Sequence, residues 1–331
     1  MNTHQPPPAS ASSPPTPRED LAPTESRAYF DAINKEIILA RILSRSTPLT
    51  WILLLVNVAL FVAAWVFGET VLHEEFNFQT WNLNVGQLAF YTGMKIPNHV
   101  FEQEQWWRLI SSAFVHMDIT HILFNGYGLY VVGPLIERFY GKSRFIVLYF
   151  GTAILSALAS LFLNDAVSGG ASGALYGLVG AMLVLGYKYR KQLPERISRA
   201  LTRGMLPWVI FGIGIGFFDF LPMDNAAHIG GLLSGALLAL IMKSKLARPM
   251  LKDDEGHILG TAHTPGDWIA RTAAAVLIML GLGTAFAWSA EVDQCTKDRT
   301  AYISCYPDIA PAVTLPYEIY MQQDKFKQRG F

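Results

Sequence analysis

The run "ASGALYGLVGAMLVLGYKYRK", residues 171–191, decides what kind of protein this is. Residues 171–187 are apolar, with small side chains spaced along them, and Lys188, Arg190 and Lys191 follow at once. A bilayer core about 30 Å thick is crossed by about 20 mostly apolar helical residues. The run therefore reads as a membrane-spanning helix that ends in a basic, cytoplasmic loop. Six further stretches of the 331-residue chain come near that length: 51–67, 119–136, 145–163, 206–221, 226–242 and 272–289. Several are interrupted by Gly, Ser, His or Asn, as suits a polytopic bundle whose polar groups face inward. The fold class expected is an all-α membrane protein in contact with the lipid bilayer. Lys+Arg and Asp+Glu both number 26, so net charge offers no argument for a nucleic-acid partner, and none is expected.

The loop charges alternate along the chain. Lys35, Arg41 and Arg45 precede the first span, and Glu69, Glu74, Glu75, Glu102 and Glu104 follow it. Arg138, Lys142 and Arg144 come after the second span, Asp165 after the third, Asp219 and Asp224 after the fifth, and Lys243, Lys245 and Arg248 after the sixth. The positive-inside rule then puts the N-terminus in the cytoplasm. Residues 1–26, rich in Pro, Ser and Thr, are expected to be a disordered cytoplasmic tail. Residues 27–49 space Phe30, Ile33 and Ile37 at helical intervals and read as an amphipathic lead-in helix at the interface. Beyond a core domain over 50–245, a cytoplasmic linker (246–271), a seventh span (272–290) and a non-cytoplasmic tail (291–331) are expected. Cys295 and Cys305 would share that last side, where a disulfide closing the small loop would stabilise it by roughly 2–3 kcal/mol.

Polar groups at membrane depth point to function. In "HMDITHILFNGYG", His121, Asn125 and Gly128 fall at i, i+4 and i+7 and share one helix face. Their bland reading is a hydrogen-bonded bridge between helices. Ser172 and Tyr176 are i, i+4 neighbours beside a stripe formed by Gly173, Gly177 and Gly180. Small residues at such spacing mostly pack. In "NAAHIGGLLSGALLAL", however, His228 shares a face with Gly231 and Gly235, and both spans run inward from the non-cytoplasmic side. Two glycine seams can dock and bring serine and histidine to one depth. A histidine base can take the proton of a serine hydroxyl and return it to a leaving amine. The Ser172 N–H, His121 and Asn125 are candidate donors for the oxyanion. No carboxylate takes a convincing third position, since Asp219 and Asp224 read as loop charges, so a Ser/His dyad is expected. No metal-ligand spacing of the HExxH type occurs, and no cofactor or metal is expected.

Together these residues resemble the rhomboid family of intramembrane serine proteases. "GASG" at 170–173 is similar to the family's nucleophile motif, "AHIGG" at 227–231 to its histidine motif, and His116-x4-His121-x3-Asn125 to its second-helix motif. Trp107-Arg108 resembles the family's first-loop pair, and Glu137-x3-Gly141 its ExxxG element. The resemblance covers 50–245 and implies a six-helix bundle around a water-filled cavity, here with a seventh C-terminal helix. It implies Ser172 as nucleophile, His228 as base, His121 and Asn125 in the oxyanion site, and Tyr176 stacked on the histidine. His116, Arg108 and Glu137 would support the long first loop, and Gly231 and Gly235 the helix contact. The implied activity is endoproteolysis of transmembrane protein substrates near the outer membrane face, with the site opening to the non-cytoplasmic side. The location expected is a bacterial inner membrane; the oligomeric state is left open. The alternatives are a non-catalytic rhomboid-like protein that binds transmembrane clients, and a transporter, which would leave the Ser/His pair unexplained.

Overall fold

The computed structural model describes residues 23–71, 93–217, 223–247, 250–252, 258–261 and 266–295. In chain order the helices are α1 (Pro23–Leu43), α2 (Pro48–Val71), α3 (Pro97–Phe101), α4 (Arg108–Ser111) and α5 (Ile119–Tyr140). They continue with α6 (Lys142–Leu163), α7 (Ser172–Lys188), α8 (Glu195–Leu201), α9 (Leu206–Ile215), α10 (Asn225–Ile241) and α11 (Gly266–Cys295). A 3-10 turn, Ser112–Phe114, extends α4. A short antiparallel pair, Met250–Lys252 with Ile258–Thr261, lies within the stretch expected as linker, and α11 begins six residues before the expected seventh span. Cys305 and Asp219 lie outside the described residues.

The molecule is a helical membrane bundle. By length and hydropathy, four helical segments among the described residues can cross a membrane, 119–140, 142–163, 225–247 and 267–287, and a fifth if the pair 28–43 and 48–64, bent by 41°, counts as one. The expected fifth span differs most. Its helix α9 is 10 residues, about 15 Å long, half of what a bilayer core demands. It ends in glycines, and none of its residues is buried.

Three helices make the centre. α7 packs most extensively on α10, and both lie on α6. The reason is visible in the glycines. A Cβ built on Gly231 would overlap the Gly173 carbonyl, one on Gly235 the Gly177 carbonyl, and one on Gly180 the Leu232 carbonyl. Backbone thus meets backbone, and dispersion contacts replace the side-chain knobs of a soluble bundle. On its other side α7 lies as close to α6, where a Cβ on Gly177 would strike Thr152 and one on Gly173 would strike Ser156.

Two devices orient this core. Lys188, at the end of α7, donates from Nζ to the carbonyls of Ala239, Leu240 and Met242, satisfying orphan acceptors at the end of α10. Gly141 alone separates α5 from α6; its φ of +84° and the nearby Lys245 side chain exclude a larger residue. Glu137 does not support the first loop, contrary to the expectation. Its carboxylate accepts from the N–H groups of Leu49 (3.2 Å) and Thr50 (2.9 Å) and from the Thr50 hydroxyl (2.8 Å), capping the start of α2 at the opposite end of the bundle. Unsatisfied N–H groups and the positive end of a helix dipole favour a carboxylate there.

Gly235→Val places a branched side chain against the Gly177 carbonyl and should lower stability by at least about 1–3 kcal/mol. Thermal unfolding of the detergent-solubilised protein measures this; an unchanged midpoint would mean that α7 and α10 do not approach so closely.

Candidate active site

The site begins with the chain that enters α7. Lys95 and Ser168 exchange two backbone hydrogen bonds of 2.8 and 3.0 Å, stitching the segment before Ser172 to the first loop. Gly170 then takes a φ of +102°, open to glycine at little cost. Its N–H donates to the Ser112 carbonyl at 2.8 Å, and the Ala171 N–H donates to His116 Nε2 at 3.4 Å. A Cβ on Gly170 would overlap His121 Nε2 and come to 3.0 Å from Asn125 Nδ2, so both α5 side chains close directly on this turn. The result is that α7 starts at Ser172, with its first-turn N–H groups free of intrahelical acceptors.

Across the glycine seam, His228 Nε2 lies 3.0 Å from Ser172 Oγ. The imidazole is 3% exposed and stacks on Tyr176, with ring centroids 4.3 Å apart and planes inclined by 19°. If Nε2 accepts from the hydroxyl, the ring proton sits on Nδ1. Among the described residues, Nδ1 has no hydrogen-bond partner, and neither does Asn125 Nδ2. Ser172, His228, Tyr176, His121 and Asn125 thus come together in one place. Gly231 and Gly235 line the contact that brings them there.

Asp224 is not a free loop charge. It caps α10, its carboxylate accepting from the Ala227 N–H at 3.0 Å, from Asn164 Nδ2 at 3.1 Å and from the Ser160 hydroxyl. These bonds tie the start of α10, one turn before His228, to the end of α6. Arg108 folds the first loop from within. It is fully buried, donates from Nη1 to the Met94 carbonyl at 3.0 Å and lies 4.8 Å from the Trp107 ring centroid. His116 is also in that loop, but its ring reaches the nucleophile turn through Ala171 and lies 5.1 Å from the His121 ring. Lys95, Ser112, Ser160 and Asn164 carry this geometry and were not expected. Ser112 acts through a carbonyl, so its side-chain identity gives no signal, whereas Lys95 acts both through its main chain and through Nζ, which donates to the Ala166 carbonyl. Asp224 did offer one, an acidic residue immediately before a helix.

Burial raises the Asp224 carboxyl, but hydrogen bonds from Ser160, the Ala227 N–H, Ser168 and Asn164 outweigh it and hold the group below its ordinary value. A depressed native pKa contributes stability that is complete above the ordinary aspartate value of about 3.9 and is lost as pH falls through the native value. Asp224→Ala should therefore cost about 1–2 kcal/mol at neutral pH. The gap from wild type should close on acidification, as unfolding curves across pH would record; a gap independent of pH would contradict the account.

Residues 103–245 match the Rhomboid domain family. The chain is 35% identical over 142 residues to the rhomboid protease GluP of Bacillus subtilis (strain 168), a match covering 43% of this chain and 27% of that protein. It is 33% identical over 159 residues to the rhomboid protease GlpG of Yersinia pestis (strain Pestoides F), covering 47% of this chain and 55% of that one. The GlpG of Yersinia pseudotuberculosis serotype I (strain IP32953) is 32% identical over the same length. The chain thus spans about half the length, or less, of the curated relatives it matches. Ser172, His228 and the groups around them lie within the domain match; α1, α2 and α11 lie outside it.

Proposed function

We propose that this chain, which matches the Rhomboid domain family over residues 103–245, is an intramembrane serine endopeptidase working by a Ser172/His228 dyad. The single observation that carries this reading is the 3.0 Å contact between His228 Nε2 and Ser172 Oγ, buried at the end of a glycine seam. His228 takes the hydroxyl proton as Ser172 attacks the scissile carbonyl, then returns it to the leaving amine; water, activated by the same base, releases the acyl group. Tyr176 holds the imidazole plane by stacking. The oxyanion is met by the Ser172 N–H at the positive end of α7, by Asn125 Nδ2, which has no other partner, and by His121. The Asp224 carboxylate takes no step in this cycle, since its oxygens are held by Ser160, Asn164 and the Ala227 N–H.

The substrates in this reading are transmembrane proteins, cut near the outer membrane face. A peptide bond in an intact helix keeps its carbonyl hydrogen-bonded, so the enzyme acts on locally unwound backbone. The basic loops put the N-terminus in the cytoplasm, and the site opens on the other side of a bacterial inner membrane. A protein that only holds transmembrane clients would have no use for a serine within hydrogen-bond reach of a buried histidine.

Cleavage of a transmembrane reporter by purified protein tests the proposal. Ser172→Ala and His228→Ala should abolish cleavage, and Asn125→Ala should lower kcat by on the order of 10²–10³, the usual effect of removing one oxyanion donor. Undiminished cleavage by Ser172→Ala would overturn the assignment. Since the base must be neutral, the rate should fall as pH is lowered through the titration of His228. A rate that stays level after the imidazole is protonated, followed by NMR, would remove it from the base role.

A further inference from the structure

α11 lies outside the region shared with the relatives, yet it is not merely another lipid-facing helix. One stripe is turned inward: Asp267, Ala270, Ala274 and Thr284 are buried, while Trp268, Ile269, Met279 and Phe286 face outward. At the head of the stripe, Arg144 Nη1 of α6 meets Asp267 Oδ1 at 2.7 Å, with the two side chains only 7% and 10% exposed. Further along, a Cβ on Gly281 would touch the Phe150 ring of α6 at 3.8 Å. This buried pair ties the first turn of α11 to the first turn of α6, and breaking it would leave a charge in a site closed to water.

The docked helix reaches the reaction site through a short series of contacts. α11 packs on α4 as well as on α6. Phe150 packs on Phe114, with ring centroids 5.9 Å apart, and Phe114 closes the 3-10 turn that extends α4. The first residue of that turn, Ser112, supplies the carbonyl that holds the Gly170 N–H at 2.8 Å. Gly170 is two residues from Ser172 and presses on His121 and Asn125. Every link is a packed or hydrogen-bonded contact, through the partly buried rings of Phe150 and Phe114 and the buried Ser112.

We propose that α11 is a strut for the active site: the Arg144–Asp267 ion pair seats it against α6 and α4, and through the Ser112 carbonyl it holds the Gly170 turn that aims Ser172. Arg144 and Asp267 are then positioning residues for a reaction they never touch. The kinetic part of this inference rests on the proteolytic reading above; the structural part does not.

The test uses the full chain and two measurements, amide hydrogen exchange and cleavage of a transmembrane reporter. The variants are Asp267→Arg, Arg144→Asp, the combined swap and Ala274→Trp. In either single charge variant, exchange should speed up in residues 108–114 and 168–172 as well as in α11. kcat should fall on the order of tenfold to a hundredfold, as for a small misplacement of reacting groups, with KM nearly unchanged. The swap should restore both. If the single charge variants fail to fold, Ala274→Trp, which crowds the buried stripe of α11 and leaves the ion pair in place, gives the same two readings. Faster exchange confined to α11 with wild-type turnover would overturn the proposal. If wild type cleaves no reporter, the proteolytic reading fails, and the exchange pattern alone still decides whether α11 supports the Gly170 turn.

Discussion

Everything at the site depends on how closely α7 approaches α10. In lipid, apolar side chains gain nothing by leaving the surroundings for one another, so helices associate where their backbones can meet. Gly180 of α7 and Gly231 and Gly235 of α10 permit this, down to contact with carbonyl groups, while Gly173 and Gly177 admit α6 on the other side. A histidine side chain reaches only a few ångströms, so the 3.0 Å contact of His228 with Ser172 exists because the seam is this tight. A separation larger by one ångström would break the hydrogen bond.

The seam is pinned at both ends. Lys188 binds the last carbonyls of α10, and Asp224 binds its first N–H groups while holding Ser160 and Asn164 of α6. Between them, α6 backs α7 with the small polar residues Thr152 and Ser156. The Gly170 turn is fixed separately, by the first loop and α5. Ser172 and His228 are therefore positioned by helix packing, and His121 and Asn125 by α5, whose side chains close on the Gly170 turn. α9 has light contact with α10 and no buried residue, but its Gly212 lies against the Tyr176 hydroxyl, where a Cβ would overlap.

Much of this was legible in the sequence for definite physical reasons. Apolar blocks and alternating loop charges give helix order and direction, which put Ser172 and His228 at the same end of parallel helices. Glycine spacing at i+3 and i+4 marks the touching faces. What was not legible acts over long separations or through the main chain. Glu137 reads as a local motif, yet it caps α2 87 residues away through the Thr50 N–H. Ser112 contributes a carbonyl, which no side-chain pattern reports. The apolar run 206–221 suggested a full span, but its glycines end α9 after 10 residues. Nor did the sequence of α11 show which of its faces would meet Arg144 of α6.

The central claim, a serine made nucleophilic by a histidine across a glycine seam, is tested most directly by covalent labelling. A serine-directed fluorophosphonate should react with the folded protein at Ser172 alone, as peptide mass spectrometry would locate, and the adduct should vanish in His228→Ala. An adduct at another serine, or labelling of Ser172 that persists without His228, would contradict the account.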